Sequence, residues 1–462
     1  MAQPALRHLA AFAVLASAGC FSESDDEGGA SGPDPSGSTS ADAGSSSIGS
    51  STTVGTQSGS SDGTTVAEGS STASTTTSAD STTGDATTDG SSSGGETSGP
   101  DLCPDDGAID CGDGVAVPGE ACWDAAQYDN VGDDSLAIVA ADFDGDGDDD
   151  VAVIDSSDGV RVLWGGGGGL TPGGVLPLPE GTSAWTLDAA NLDDDVEAEL
   201  LVGGFEPVAW LFDYDGASLA LTDAMLTAPA ASVTARLADG DDDEVPDAFL
   251  TGEFSDIPEQ QVLRMLPQAD LVFGSPTDFP LDLSIADFRV LPVDGNPAPG
   301  VALISAGGEL LWSPPGGEIA SMLLLADDVY TFDQTARLTV GDLDGDGLSD
   351  VVVGHDGRAF LYRYDDLLEA PVFDQILGEA VTGAVTTAIG DIDRDGDADL
   401  VLARRGDNAV LVYAREGNGY ADATPLLIAD PAGVAVGHVD GDCVLDLAVM
   451  RTQTVGLFLG DP

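Results

Sequence analysis

From Leu136 onward, short apolar runs alternate with turns built from glycine and aspartate. Runs such as 136–141 (LAIVAA), 335–340 (TARLTV) and 385–390 (VTTAIG) each lead into an aspartate-rich turn, and a second apolar run follows at 151–154 (VAVI), 351–354 (VVVG) and 400–403 (LVLA). Another turn opens a third run, 159–164 (GVRVLW), 357–364 (GRAFLYRY) or 408–414 (NAVLVYA), and a glycine-rich turn then leads to a fourth, less regular one. Runs this short, punctuated at both ends by turn formers, predict strands rather than helices. The pattern is a unit of four strands.

The aspartate-rich turns set the period of that unit. Residues 142–150 (DFDGDGDDD), 342–350 (DLDGDGLSD) and 391–399 (DIDRDGDAD) fit DxDxDGxxD, and weaker copies stand in register at 191–199 (NLDDDVEAE), 239–247 (DGDDDEVPD), 292–300 (PVDGNPAPG) and 438–446 (HVDGDCVLD). Successive starts lie 49, 48, 53, 50, 49 and 47 residues apart. Near-constant spacing of four-strand units predicts an all-β fold, a seven-bladed β-propeller of four-stranded blades over 135–462, because radial repetition leaves only short, protected sheet edges.

The segments 160–170 (VRVLWGGGGGL) and 409–423 (AVLVYAREGNGYADA) resemble the FG-GAP/VCBS repeats of bacterial surface proteins and the related integrin alpha-subunit propeller. The resemblance covers about 135–462 and implies a calcium-binding propeller. Dockerins and thrombospondin type 3 repeats share the acidic loop, but the first embed it in helical pairs at a shorter period and the second pack loops with little strand between.

Calcium takes roughly six to eight oxygen ligands, and the spacing of the motif suits it. Alternating aspartates converge on one point, glycine allows the sharp turn, the residue after it offers a carbonyl, and the last aspartate offers two oxygens. The expected ligands are Asp142, Asp144, Asp146, the Asp148 carbonyl and Asp150; Asp342, Asp344, Asp346, the Leu348 carbonyl and Asp350; and Asp391, Asp393, Asp395, the Asp397 carbonyl and Asp399. A fourth, weaker site keeps Asp239, Asp241, Asp243 and Asp247 but has Glu244 in place of the glycine. The second and seventh loops are doubtful, and the fourth, with Pro292 and Gly300 at its ends, is expected to be dead.

The N-terminal part reads differently. Residues 1–19 have a secretory signal's basic start (Arg7) and short apolar run, and the sequence SAGC ending at Cys20 resembles the bacterial lipobox, implying a chain lipid-anchored to the outer membrane or cell surface. Residues 20–100 are a tether rich in serine, threonine and glycine, without an aromatic after Phe21, that cannot bury enough apolar surface to order itself. Its GSSDG (59–63) imitates a serine-hydrolase elbow, but that elbow needs a strand before it and a helix after it. Cys103, Cys111 and Cys122 follow in segment 101–134, and Cys443 is the only later cysteine. Export favours disulfides over a zinc site, with Cys122–Cys443 and Cys103–Cys111 as the preferred pairing. The seventh unit has three strands before Pro462, so a stretch between about 115 and 131 is expected to dock as its outer strand.

Charge and chemistry narrow the function. The chain carries 83 acids against 13 bases, all arginine, for a net charge of −70. Nucleic acid and anionic lipid surfaces need a cationic footprint, so no nucleic-acid partner is expected, and contact with membrane only through the anchor. Of three histidines, His8 leaves with the signal, His355 lies in a turn and His438 opens a worn loop; the RGD tripeptide at 405–407 also sits in a turn. The reading is a calcium-stabilised, non-enzymatic surface module for a protein or glycan partner. The alternatives are an accessory propeller of a polysaccharide lyase or hydrolase, or a passive structural surface protein. The face opposite the acidic loops is the expected ligand surface.

Overall fold

The computed structural model describes residues 122–460, apart from internal stretches of which the longest are 254–260, 292–298 and 316–322. Cys20, Cys103, Cys111, the signal peptide and the tether lie outside the described residues, as does nearly all of the fourth loop. Strands and turns make up the described residues, with no helix among them, and hence none long and apolar enough to cross a membrane.

Seven four-stranded antiparallel sheets form the fold. Blade 1 runs outward from the axis as Ile138–Ala141, Asp150–Asp155, Gly159–Trp164 and Thr171–Leu176, and the next five blades repeat this order. The innermost strands, from Ile138–Ala141 in blade 1 to Pro431–Gly437 in blade 7, neighbour one another in sequence order, and the last neighbours the first, so the ring is closed. The second strand of a blade is covered on both faces by the adjacent blades. Glu199–Gly204, Gly300–Ser305, Asp350–His355 and Asp399–Arg404 are therefore buried at every position, which is why these segments read as continuous apolar runs instead of alternating ones. Outer strands such as Thr171–Leu176 are exposed at all but one position.

Among the described residues there is no single central core. Seven apolar clusters each fill the space between two consecutive blades: Phe143, Ile154 and Phe212 between blades 1 and 2, Leu192 and Leu250 between 2 and 3, Phe249 and Phe288 between 3 and 4, Trp312 and Phe360 between 4 and 5. Leu343 and Leu400 lie between 5 and 6, Ile392 and Phe458 between 6 and 7, and Val151 and Leu457 between 7 and 1. Each repeat thus buries its apolar faces only against its neighbours.

Blade 7 is completed by the other end of the chain. Gln127–Asn130 pairs antiparallel with the strand Thr454–Phe458, Gln127 opposite Leu457 and Asn130 opposite Thr454. Trp123 bridges to Gly460, and the Val131 N–H donates to the Gln453 carbonyl at 3.1 Å. Sequence reading did not resolve two small hairpins that interrupt the third-to-fourth strand connection, Gln268–Ala269 with Val272–Phe273 in blade 3 and Arg415–Glu416 with Gly419–Tyr420 in blade 6.

Candidate metal-binding face

The first-to-second strand connections are the acidic loops, and they are ordered by their own amides. In blade 1, Gly145 and Gly147 adopt positive φ (72° and 95°), turning their N–H groups onto Asp142 Oδ1 (2.7 Å) and Oδ2 (3.0 Å). Blade 5 repeats the arrangement, with Gly345 and Gly347 donating to Asp342 at 2.7 and 2.8 Å. In blade 6 the first left-handed position falls to Arg394 (φ 54°), and Asp395 and Gly396 donate to Asp391 at 3.1 and 3.0 Å. The next acids cap amides two residues on: Asp148 N–H to Asp146 (3.0 Å), Leu348 N–H to Asp346 (2.9 Å), Asp397 N–H to Asp395 (2.9 Å).

In blades 1, 5, 6 and 7 the last acid ties its loop to the end of the third strand. Both Asp150 oxygens accept backbone N–H groups, from Phe143 in its own loop (2.9 Å) and from Gly165 at the end of the third strand (2.7 Å). Asp350 does the same with Leu343 (3.0 Å) and Tyr364 (2.7 Å), Asp399 with Ile392 (2.9 Å) and Arg415 (2.8 Å), and Asp446 with Val439 (2.8 Å) and Gly460 (2.9 Å). Blade 4 has Gly300 at this position, and a Cβ there would come within 2.1 Å of the Trp312 ring. Trp312, fully buried, occupies the volume that the carboxylate fills elsewhere.

Carboxylates from five loops converge. One oxygen from each of Asp142, Asp144 and Asp146 lies within 4.8 Å of the others, and the same holds for Asp239, Asp241 and Asp243, for Asp342, Asp344 and Asp350, and for Asp391, Asp393 and Asp399. Asp148, Asp150, Asp247, Asp346, Asp395 and Asp397 belong to none of these groups. The second loop also forms one, from Asp193, Asp195 and Glu199; sequence reasoning undervalued it because Asn191 and Glu199 replace aspartates, and the longer Glu199 side chain reaches the same point. Among the described residues the seventh loop forms no such group.

These groups suit a hard cation. All donors are carboxylate oxygens, and three of the loops hold a buried carboxylate oxygen with no hydrogen-bond partner: Glu199 Oε1, Asp247 Oδ2 and Asp344 Oδ1. Burial, only partly offset by amide hydrogen bonds and reinforced by neighbouring acids, pushes Asp142 up to about 6, Asp150 and Glu199 to about 8, Asp350 to about 7 and Asp399 to about 8. Charges held this close need protons or a cation to coexist.

Adjacent loops are latched to one another. Loop 2 donates to loop 1 through Ala198 N–H to the Asp142 carbonyl (2.8 Å). Gln268 of the blade 3 hairpin donates to the Leu192 carbonyl of loop 2 (2.7 Å), and Arg415 of the blade 6 hairpin donates to the Asp344 carbonyl of loop 5 (2.8 Å) while pairing with Asp397 of loop 6 (3.1 Å). At the closing seam, Asp149 N–H donates to the His438 carbonyl, and His438 N–H donates to Asp149 Oδ2, each at 2.7 Å. His438 thus serves the seam through its backbone. The RGD tripeptide is held in ion pairs, Arg405 with Asp430 (2.6 Å) and Asp407 with Arg404 (2.9 Å).

The fold and these loops define the class: a seven-bladed β-propeller carrying FG-GAP-like repeats. The family model for the FG-GAP-like repeat matches residues 142–202, 342–402 and 391–449. No curated protein sequence matches the chain. Among solved structures it is similar to BBS1N in complex with ARL6DN (TM-score 0.52, 13% identity, covering 73% of this chain and 97% of that one). It is also similar to Chaetomium thermophilum Raptor (TM-score 0.47, 15% identity, 74% of this chain), of which it spans only 29%. An Agrocybe aegerita lectin described as recognising non-reducing terminal N-acetylglucosamine matches at TM-score 0.45 and 15% identity, over 65% of this chain and 80% of the lectin.

Proposed function

We propose that the protein is a calcium-stabilised surface module, lipid-anchored through Cys20, whose propeller presents a rigid face to a protein or glycan partner without catalysing a reaction. The observation that carries the calcium reading is the convergence of three carboxylates in each of five loops on one face. Calcium would be held by the grouped acids and would relieve their mutual repulsion. The chain's own part is to pre-form each loop through the glycine and Asx hydrogen bonds, so that little ordering remains for the ion to drive. With the acidic face committed to ions and inter-loop latches, the opposite face, which carries the turns at 155–159, 355–358 and 405–408, is the one left for a partner.

The same reading closes the ring covalently through Cys122–Cys443. Support comes from geometry: Trp123 beside Cys122 bridges to Gly460, and a Cβ added at Gly460 would meet Val444 and Leu445, next to Cys443.

The test of the calcium reading is thermal melting with calcium and with chelator. At a few millimolar calcium and a dissociation constant of about 0.1 mM, each site contributes roughly 2 kcal/mol by mass action, so several sites should separate the two curves widely. Coincident curves would sink the reading. Labelled lipid entering the wild-type chain and not a Cys20→Ser variant checks the anchor, and protein and glycan arrays probed with and without calcium seek the partner.

A further inference from the structure

We propose that the side chains of Trp185 and Phe205 on blade 2 form an aromatic platform, on the face opposite the acidic loops, that takes a pyranose unit of a neutral glycan. This rests on that face being the partner surface, and it narrows the partner to a carbohydrate.

The backbone of blade 2 builds the pair. In the innermost strand Ala184–Ala190, Ala184 pairs with Gly204 and Thr186 with Gly203, so Trp185 is the extra residue of a bulge, a device that re-aims a side chain. Blades 4 and 7 have the same bulge at Ala286 and Ala432. The distortion therefore belongs to the fold, and the tryptophan to blade 2. Phe205 follows the strand Glu199–Gly204, and its N–H donates to the Ser183 carbonyl at 3.3 Å. The equivalent Ala306 N–H in blade 4 donates to the Ser284 carbonyl at 2.7 Å. In the remaining blades this position, six residues past the end of the acidic loop, is Ser156, Glu253, Asp356, Arg405 or Thr452.

The two rings meet with centroids 5.1 Å apart and planes at 54°, yet Trp185 is 41% and Phe205 47% exposed. The other exposed large apolar side chains among the described residues lie on fourth strands, on the second acidic loop or on third-to-fourth connections. Size then selects the partner. At those fractions of the roughly 150–250 Å² that an aromatic side chain buries, the pair offers on the order of 200 Å², far below the roughly 800 Å² that each side of a stable protein interface needs.

A sugar ring fits that area. A pyranose has an apolar face of C–H groups, which the electron-rich face of an aromatic ring attracts, and hydroxyls at its edge, which need hydrogen-bonding groups beside the platform. Ser183, exposed, and Glu206, half-buried, stand next to the two rings in the chain. Glu206 Oε2 is buried without a hydrogen-bond partner, so this carboxylate gains a bond by turning to a sugar hydroxyl. The net charge of −70 opposes chains that carry uronate or sulfate, which leaves neutral sugars.

The experiment is a calorimetric titration of the whole chain, in saturating calcium chloride, with maltohexaose, cellohexaose and mannohexaose as neutral probes and hexagalacturonate as the anionic one. At least one neutral probe should bind at one site per chain and shift the tryptophan fluorescence, and hexagalacturonate should not bind. Trp185→Ala should weaken that binding about tenfold or more, and Phe205→Ser several-fold. Both variants carry residues that other blades hold at these positions, and a melting curve checks that each one folds. The proposal is overturned if no neutral probe binds, if hexagalacturonate alone binds, or if the variants bind as well as wild type. A protein-array partner that Trp185→Ala still captures, with no neutral probe bound, overturns the aromatic site and leaves the surface module standing; failure to bind any protein or glycan overturns both.

Discussion

At the scale of single residues, two kinds of aspartate share one motif and are separable by experiment. Asp144 points into the group with Asp142 and Asp146, whereas both Asp150 oxygens are spent on buried backbone amides. Asp150→Ala leaves two N–H groups unsatisfied, at about 1–3 kcal/mol each, and should lower stability by a similar amount in calcium and in chelator. Asp144→Ala should lower it only in calcium. Equal behaviour of the two variants in melting experiments would show that the division of roles is wrong. Gly300→Asp is expected to be far more damaging than a charge on an ordinary turn, because the Trp312 ring already fills that volume.

At the scale of the loops, the carboxylates set a pH dependence. Asp150, Glu199 and Asp399 are pushed up to about 8 and Asp350 to about 7 in the folded chain, against about 4 in the unfolded one. The folded state therefore binds more protons, so the stability these groups contribute is complete below about pH 4 and is lost as pH rises through about 7 to 8. Calcium-free protein should melt at a higher temperature at pH 5 than at pH 8. Calcium should reverse or flatten that trend and release protons on binding, most strongly near neutrality, which calorimetry in buffers of different ionisation enthalpy reads directly. The latches from Arg415 to loop 5 and from Gln268 to loop 2 predict that loops do not fill independently: Arg415→Met should weaken binding at loops 5 and 6 together.

At the scale of the whole molecule, the ring is held by seven equivalent interfaces and one joint between distant parts of the chain. Gln127–Asn130 covers the edge of blade 7, and Val131 is buried in the cluster between blades 7 and 1. A chain shortened to begin at Ser135 should melt well below one that begins at Asp101, whereas removing only residues 22–100 should change melting little. If the two shortened chains melt alike, the joint carries no stability.

The period of the acidic loops and the four apolar runs between them made the blade count and strand order legible without coordinates. Apolar periodicity is local chemistry: a run of four to six apolar residues bounded by glycine and aspartate has few other ways to bury itself. Part of each carboxylate group was legible for the same reason, since DxDxDG brings its first two aspartates together over a single turn. What tertiary structure decided depended on residues far apart in the chain. The last loop acid became a strand clamp because the third strand delivers an amide to it, Asp149 became a seam residue because blade 7 lies beside blade 1, and the second loop formed a group because the Glu199 carboxylate comes within reach of Asp193 and Asp195.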